Sequence, residues 1–364
     1  MRKFFHLGIC TSGGDCPGLN AVIRAVTKHA VGTFGMQVTG IRGGLTGLMT
    51  DKPEVLPLSI ASVADLQDRG GTILGTSNKG SPFRKTEESQ KILEATQRSW
   101  SQIGLDGLIV IGGDGSMNIA RHLHDAGLPI IGIPKTIDND VWGTDNSIGF
   151  SSAVDVAVDA AERLKSSADA HDRIMILEVM GRHAGHIALH TALASGAHAA
   201  LIPEIPFDYD ELIRRIQARA QLGRSSYLML VAEGAYAKDQ QPVWKQAPTG
   251  TALLGGIGEL VGRELHLRTN IDTRVTVLGH LQRGGSPNPT DRLLGALLGK
   301  KAVDLAVSHN WGVVVGTSNG QFTEIPFAEV SNRRRTVDLE SDWLKTAESL
   351  GTTLGRPTAY KGLM

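Results

Sequence analysis

The sequence predicts an α/β protein with mostly parallel sheets, built as two layers with a cleft between them. Three observations carry that reading. Apolar strand-like segments alternate with amphipathic helical ones along the chain, the pattern of parallel strands joined by crossover helices. Glycine turns follow the strand-like segments again and again, as at 13–14, 112–115 and 284–285. Finally, 364 residues suffice for about two domains, and a turn-rich break falls near Gly149.

The first strand is expected over 4–10 and ends in Thr11-Ser12-Gly13-Gly14-Asp15-Cys16-Pro17-Gly18. Ala21, Val22, Ala25, Val26 and Ala30 then recur at helical spacing over 20–31. A glycine turn between strand and helix is a phosphate-cradle pattern, although it matches neither G-x-G-x-x-G nor G-x-x-x-x-G-K-[ST]. Cys16 beside it reads as small, partly exposed structural filler. A second strand spans 36–41. Residues 69–80, rich in glycine and small side chains, form a loop too polar for a core and suited to face a nucleotide; Asn78 and Lys79 lie in it.

An amphipathic helix over 86–103 leads to an apolar strand at 108–111, the turn Gly112-Gly113-Asp114-Gly115-Ser116, and a helix expected over 117–126. A strand at 129–133 runs into Pro134-Lys135-Thr136-Ile137-Asp138-Asn139-Asp140. Beyond these come a helix at 152–168, a strand at 173–178 that continues into Val179-Met180-Gly181-Arg182, and a strand at 199–202. A helix at 209–220 capped by Asp208 and a strand at 226–232 ending at Glu233 follow. The polar stretch 238–250 holds two prolines and reads as an exposed insertion. A helix at 253–267 and a strand at 273–278 precede Gly279-His280-Leu281-Gln282-Arg283-Gly284-Gly285-Ser286, then a helix at 289–307 and a strand at 312–316. Arg333-Arg334-Arg335 reads as a solvated charge run, and 351–364 as a partly disordered tail.

Two runs carry chemistry. The turn at 112–116 opens a helix, whose first N–H groups and positive dipole end suit an anion. Asp114 alone would repel a phosphate, so its expected partner is a magnesium ion carried on that phosphate. Asp138 and Asp140, two residues apart at the end of the next strand, offer a carboxylate base for an attacking hydroxyl. Together they suggest phosphoryl transfer.

Composition narrows the setting. Lys+Arg and Asp+Glu balance at 37 each, so no global field attracts nucleic acid or anionic lipid. Glycine, 44 residues or about 12% against the usual ~7%, has no period, which excludes collagen-like and repeat architectures. Two cysteines argue against a disulfide framework and for a reducing cytosol. Neither a signal pattern nor a membrane-length apolar run is read, so a soluble, cytoplasmic protein is expected.

The run GGDGS at 112–116 followed by PKTIDND at 134–140 resembles the 6-phosphofructokinase family, over nearly the whole chain. The resemblance implies two similar doubly wound, mostly parallel-sheet lobes with the active site in the cleft between them. It places the nucleotide on 1–149 plus 282–332 and the sugar phosphate on 150–281 plus 333–364. It implies transfer of the γ-phosphoryl of Mg-ATP to the 1-hydroxyl of fructose 6-phosphate. Gly14, Asn78, Lys79, Gly113, Asp114, Gly115 and Ser116 then face ATP, with Asp114 on magnesium. Asp138 matches the catalytic base, with Thr136 and Asp140 beside it. Met180, Gly181, Arg182, Glu233, His280 and Arg283 match sugar-phosphate contacts. Arg173 and Arg274 match arginines that reach the 6-phosphate from a neighbouring subunit, which implies a homo-oligomer, expected to be a tetramer.

This sequence departs from the family pattern in three places. Pyrophosphate-using members carry Asp in place of Gly115 and Lys at 135, and here Gly115 stands with Lys135. Gly115 leaves room for a nucleotide's α-phosphate, so ATP is the expected donor and Lys135 an added cation near the transferred group. Asn78 stands where bacterial members have an arginine. At the effector site of this allosteric family Arg24 is kept, while Lys28, Ile60 and Lys165 replace arginines. A pyrophosphate-dependent enzyme, an NAD or lipid kinase sharing the G-G-D-G turn, and a noncatalytic nucleotide sensor on the same fold are the competing readings.

Overall fold

The computed structural model describes residues 5–78, 82–83, 86–246, 252–331 and 333–358. The chain divides into two compact units, Met1–Ser152 with Arg283–Arg335, and Ala153–Gln282 with Thr336–Met364. The first unit begins with β1 (His6–Thr11), α1 (Leu19–Phe34), β2 (Gln37–Ile41), α2 (Gly44–Leu48), β3 (Val55–Leu58) and α3 (Thr86–Ile103), then β4 (Gly107–Gly112), α4 (Asp114–Asp125) and β5 (Ile130–Pro134). Helix α5 (Phe150–His171) carries the chain into the second unit: β6 (Ile174–Val179), α6 (His186–Ser195), β7 (Ala199–Leu201), α7 (Tyr209–Gln221) and β8 (Tyr227–Ala232). A short antiparallel pair, β9 (Trp244–Gln246) and β10 (Ala252–Leu254), precedes α8 (Ile257–Thr269) and β11 (Thr273–Val277). After a 3₁₀ turn at Gly279–Arg283, α9 (Pro289–Val307), β12 (Val313–Ser318), β13 (Gln321–Pro326) and α10 (Phe327–Val330) complete the first unit, and α11 (Asp342–Ser349) belongs to the second.

The first unit holds a seven-stranded sheet in the order β13-β12-β5-β4-β1-β2-β3. From β1 the chain winds outward to β2 and β3, then returns to β4 and continues to β5 and β12, which makes the sheet doubly wound. Only the edge strands β3 and β13 are antiparallel to their neighbours. The second unit holds four parallel strands in the order β11-β6-β8-β7. Strands β4, β5, β6 and β8 are buried at every position, so these strands are covered on both sides. Such strands read as continuous apolar runs without alternation. Separate cores fill the units, one around Val110, Met117 and Phe327, the other around Ile176, Met229 and Val261. In the first unit α1 and α9 lie against each other at a glycine; a Cβ on Gly299 would stand 2.8 Å from that of Ala25.

Several elements differ from the sequence expectation. Helix α4 starts at Asp114 rather than 117, because its first turn is polar and the apolar period begins only at Met117. Gly113, extended at φ −88° and ψ −172°, caps it without a side chain. The stretch expected as an insertion contributes β9, paired antiparallel with β10, so α8 begins at Ile257 rather than at 253. Residues 351–358 are not loose: Thr353 bridges Ala199, and Thr352, Thr353 and Leu354 are buried. Among the described residues no helix is long and apolar enough to cross a membrane.

Candidate functional site

Strand register brings three loops of the first unit out on one level. Thr11 lies opposite Ile111 and Gly112 opposite Pro134, so the segments after β1, β4 and β5 leave the sheet side by side. The strand order reverses between β1 and β4, and open α/β sheets bind ligands at such a point, beyond the carboxyl ends. Gly13 adopts a positive φ of 85°. A Cβ there would stand 3.2 Å from Ser116 Oγ and 3.3 Å from Lys135 Nζ. A Cβ on Gly14 would fall 2.8 Å from Arg283 Nη1, so the glycine admits the guanidinium, which donates to Asp15 O at 3.0 Å. Gly115 is exposed, and a Cβ there would meet nothing within 4 Å.

The loop 69–78 rests on the same turn. Asn20 donates to the carbonyls of Arg69 and Gly70 at 3.1 Å each and accepts from Ile73 N at 2.9 Å. Gly13 N donates to Ser77 O at 3.0 Å, and Thr76 Oγ1 to Gly13 O at 2.6 Å. Asn78 ends this run exposed. Lys79 lies outside the described residues.

Lys135 points inward, only 3% exposed, with its ammonium donating to Gly14 O. Burial holds its pKa below the usual lysine value, and the Arg283 charge pushes the same way. Cys16 is a correction: it is fully buried rather than partly exposed, because Gly149 closes over it, and a Cβ on that glycine would reach within 2.5 Å of Sγ. Burial pushes its thiol up to about 12.

The acidic turn is shaped by Asn139, which takes φ 54°, a left-handed conformation that asparagine tolerates. Its side chain accepts from Ser147 N at 2.9 Å and donates to Asp145 O at 3.0 Å. Thr136 Oγ1 accepts from Asp138 N at 3.2 Å, and Asp138 is half-buried. Burial raises the Asp140 carboxyl above its ordinary value, opposed by a hydrogen bond from Thr136 and by the charge of Arg334. The arginine run is not simply solvated. Arg334 donates to Asp114 Oδ2 at 3.2 Å and stands 3.6 Å from Asp140. Sequence reasoning missed this arginine, which lies 220 residues from Asp114.

A second edge forms in the other unit. Val179 lies opposite Ala232 and Val277 opposite Glu178, so Met180–Arg182, Glu233 and the turn carrying His280 leave β6, β8 and β11 together. Gly181 needs its φ of 138°, and a Cβ there would stand 2.8 Å from Ala184 O. Buried Gln282, a motif residue with no assigned role, accepts from Met180 N at 2.8 Å and ties the two segments. Arg182 and His280 are exposed, Glu233 half-buried, and the Arg182 guanidinium lies 5.2 Å from the Trp244 ring centroid. Glu178, 2% exposed, was also missed; it accepts from Gly256 N at 2.9 Å and Gly258 N at 2.8 Å and so caps α8.

Arg173 and Arg274 do not join this edge. They sit at the amino-terminal ends of β6 and β11, on either side of Asp272, at 2.7 Å and 2.5 Å from it. Arg283, expected at the sugar phosphate, lies within the first unit against Gly14. Among the described residues no group of three or more His, Cys, Asp or Glu could hold a metal by itself.

Parallel sheets that offer glycine turns, a bare helix start and an acidic turn at their carboxyl ends are those of a doubly wound α/β phosphotransferase. The chain belongs to the phosphofructokinase family, whose model, described as Phosphofructokinase, matches residues 6–306. Relatives 40–46% identical bear the name ATP-dependent 6-phosphofructokinase. That of Synechocystis sp. is 43% identical over 359 residues, covering 98% of this chain and 99% of the relative. A Pyrophosphate–fructose 6-phosphate 1-phosphotransferase of Dictyoglomus thermophilum is 40% identical over 339 residues, 92% of this chain and 95% of the relative. Among solved structures, phosphofructokinase from Saccharomyces cerevisiae superposes with a TM-score of 0.77 at 30% identity over 90% of this chain. This chain spans 45% of that yeast chain, under half its length.

Proposed function

We propose that this chain is an ATP-dependent 6-phosphofructokinase, moving the γ-phosphoryl of Mg-ATP to the 1-hydroxyl of fructose 6-phosphate and releasing fructose 1,6-bisphosphate and ADP, a phosphorylation step of glycolysis. The observation that carries the reading is the shared level at which Gly13-Gly14, Gly113–Ser116 and the acidic turn leave β1, β4 and β5. The first unit is the donor side. Gly14 and the first turn of α4 receive phosphate oxygens, and Asn78 and Lys79 border the nucleotide. Asp138 takes the proton of the sugar's 1-hydroxyl, with Thr136 and Asp140 shaping its turn. Lys135 contributes positive charge beneath the first glycine turn. The second unit reads the sugar phosphate through Met180, Gly181, Arg182, Glu233 and His280, whose donors and carboxylate suit a phosphate and hydroxyls.

A magnesium ion fits this arrangement only together with the nucleotide, because Asp114 offers one carboxylate at the helix start and the phosphates must complete the set. When bound, it neutralises charge on the transferring group. ATP is preferred over pyrophosphate because the space beside Gly115 is open, leaving room for an α-phosphate and the rest of a nucleotide. The pyrophosphate reading draws on Lys135 and on the Dictyoglomus relative. Arg173 and Arg274, set away from the second edge, suit delivery to a neighbouring copy's sugar phosphate, so the working protein is a homo-oligomer, a tetramer by family analogy, in the cytoplasm. A coupled assay of the purified protein with fructose 6-phosphate and Mg-ATP tests the reading. Fructose 1,6-bisphosphate should accumulate in step with ADP, and absence of turnover with ATP would refute it.

A further inference from the structure

The helix start and the acidic turn share a cation supplied by the chain. Arg334 Nη2 donates to Asp114 Oδ2 at 3.2 Å, and its Nε lies 3.6 Å from Asp140 Oδ2. Backbone and neighbours fix its position. Arg334 bridges Val141 antiparallel, and Arg335 N donates to Asp140 O at 2.9 Å. Arg335 Nη1 donates to Asn139 O at 3.2 Å, and the Arg333 guanidinium stands 5.2 Å from the Trp142 ring centroid. Three successive arginines thus grip 139–142, and the middle one is held over both carboxylates. The ion pairs themselves are long and partly solvated, with side-chain exposures of 38% for Arg334 and 30% for Asp114. Such partly solvated pairs are individually weak. The arginine is anchored by its backbone, and its guanidinium is held by two partly solvated ion pairs.

We propose that Arg334 is an internal counter-cation that keeps a divalent ion off Asp114 until the ion arrives with the nucleotide's phosphates. The inference rests on the reading of Asp114 as the metal carboxylate. In the nucleotide-free protein a lone divalent ion must displace the guanidinium and leave two positive groups facing each other. When phosphates enter, the ion takes Asp114 and the guanidinium turns to phosphate oxygens, which its planar fork matches. Metal and nucleotide then bind with positive coupling, and neither is held well alone. Arg334 contacts carboxylate and then phosphate in this scheme and takes no part in proton transfer.

Manganese titrated into the nucleotide-free protein, with free ion followed by electron paramagnetic resonance, tests the proposal without turnover. Arg334→Ala should bind the ion about tenfold more tightly than wild type, within the usual range of such couplings. Arg334→Lys should stay near wild type, and adding Asp114→Asn to Arg334→Ala should abolish the gain. Unchanged affinity in Arg334→Ala overturns the proposal, as does a gain that survives Asp114→Asn. Arg334→Gln, which keeps the stem, carries the same expectation if the alanine variant fails to fold. The underlying reading is checked apart from this: Asp114→Asn alone should weaken binding of manganese with ATP, and no change there would sink the metal assignment whatever Arg334 does.

Discussion

The carboxyl-terminal edges of the two sheets are built from different material. In the first unit the edge is mostly backbone: glycine turns, a helix start capped by a bare glycine, and a loop laid across them. Two of its charged side chains are sunk or paired: Lys135 is 3% exposed and Asp114 lies against Arg334. In the second unit the edge presents side chains, with Arg182 and His280 exposed and Glu233 beside them. The contrast fits two kinds of ligand. A polyphosphate carrying a metal can be held by N–H groups and shape, with few charges placed where charge develops. A sugar phosphate must be read group by group, which takes side chains of chosen reach.

If that division holds, substitutions on the first edge should change turnover more than sugar affinity. The largest effect is expected at Asp138. Asp138→Asn keeps the shape and removes proton acceptance, so kcat should fall by roughly 10²–10⁴. The dissociation constant for fructose 6-phosphate, measured by calorimetry, should hardly move; near-normal turnover would exclude Asp138 as the base. Next comes Lys135→Met, which keeps the buried stem and removes the charge. A loss of about 10²–10³ in ATP-dependent kcat is expected, the scale of one preorganised partner, with the sugar KM unchanged. An unaltered kcat would leave Lys135 without a role in the reaction.

What could be read from sequence divides along similar lines. Strand–helix alternation and the glycine turns were legible because each is contiguous, and buried parallel strands such as Leu108–Ile111 are apolar without interruption. Features made by distant partners were not legible. Arg334 has no local signal, since its carboxylates lie about two hundred residues away along the chain. Cys16 looked exposed beside a glycine turn, and its cover is Gly149. The start of α4 was hidden by its polar first turn, and Trp244 reaches Arg182 through a strand of three residues.

The second edge can be tested by mixing chains. If Arg274 serves a neighbouring copy, Arg274→Ala and Asp138→Asn subunits, each nearly inactive, should restore up to about a quarter of the sites when randomly exchanged. Mixtures that stay inactive after exchange has been demonstrated by mass spectrometry would mean that each copy is self-sufficient. The smallest response is expected from thiol reagents. With its thiol pushed up to about 12 by burial, Cys16 is protonated at pH 8 and closed off from solvent. Iodoacetamide should leave both the Cys16 mass and the activity unchanged until the protein is unfolded; rapid labelling of the folded protein would contradict the burial.

Donor choice bears most directly on the claim that the first edge selects by backbone and space. Initial rates should be measured with saturating fructose 6-phosphate and either Mg-ATP or Mg-pyrophosphate, for wild type and for Gly115→Asp. Wild type should use ATP. In the variant, the new carboxylate fills the open side of Gly115 and repels phosphate, so kcat/KM for ATP should drop by about 10²-fold, the scale of a like-charge juxtaposition of several kcal/mol. The fructose 6-phosphate KM should stay within about twofold. A wild-type enzyme that turns over only with pyrophosphate, or a variant that uses ATP as well as wild type does, would contradict the account.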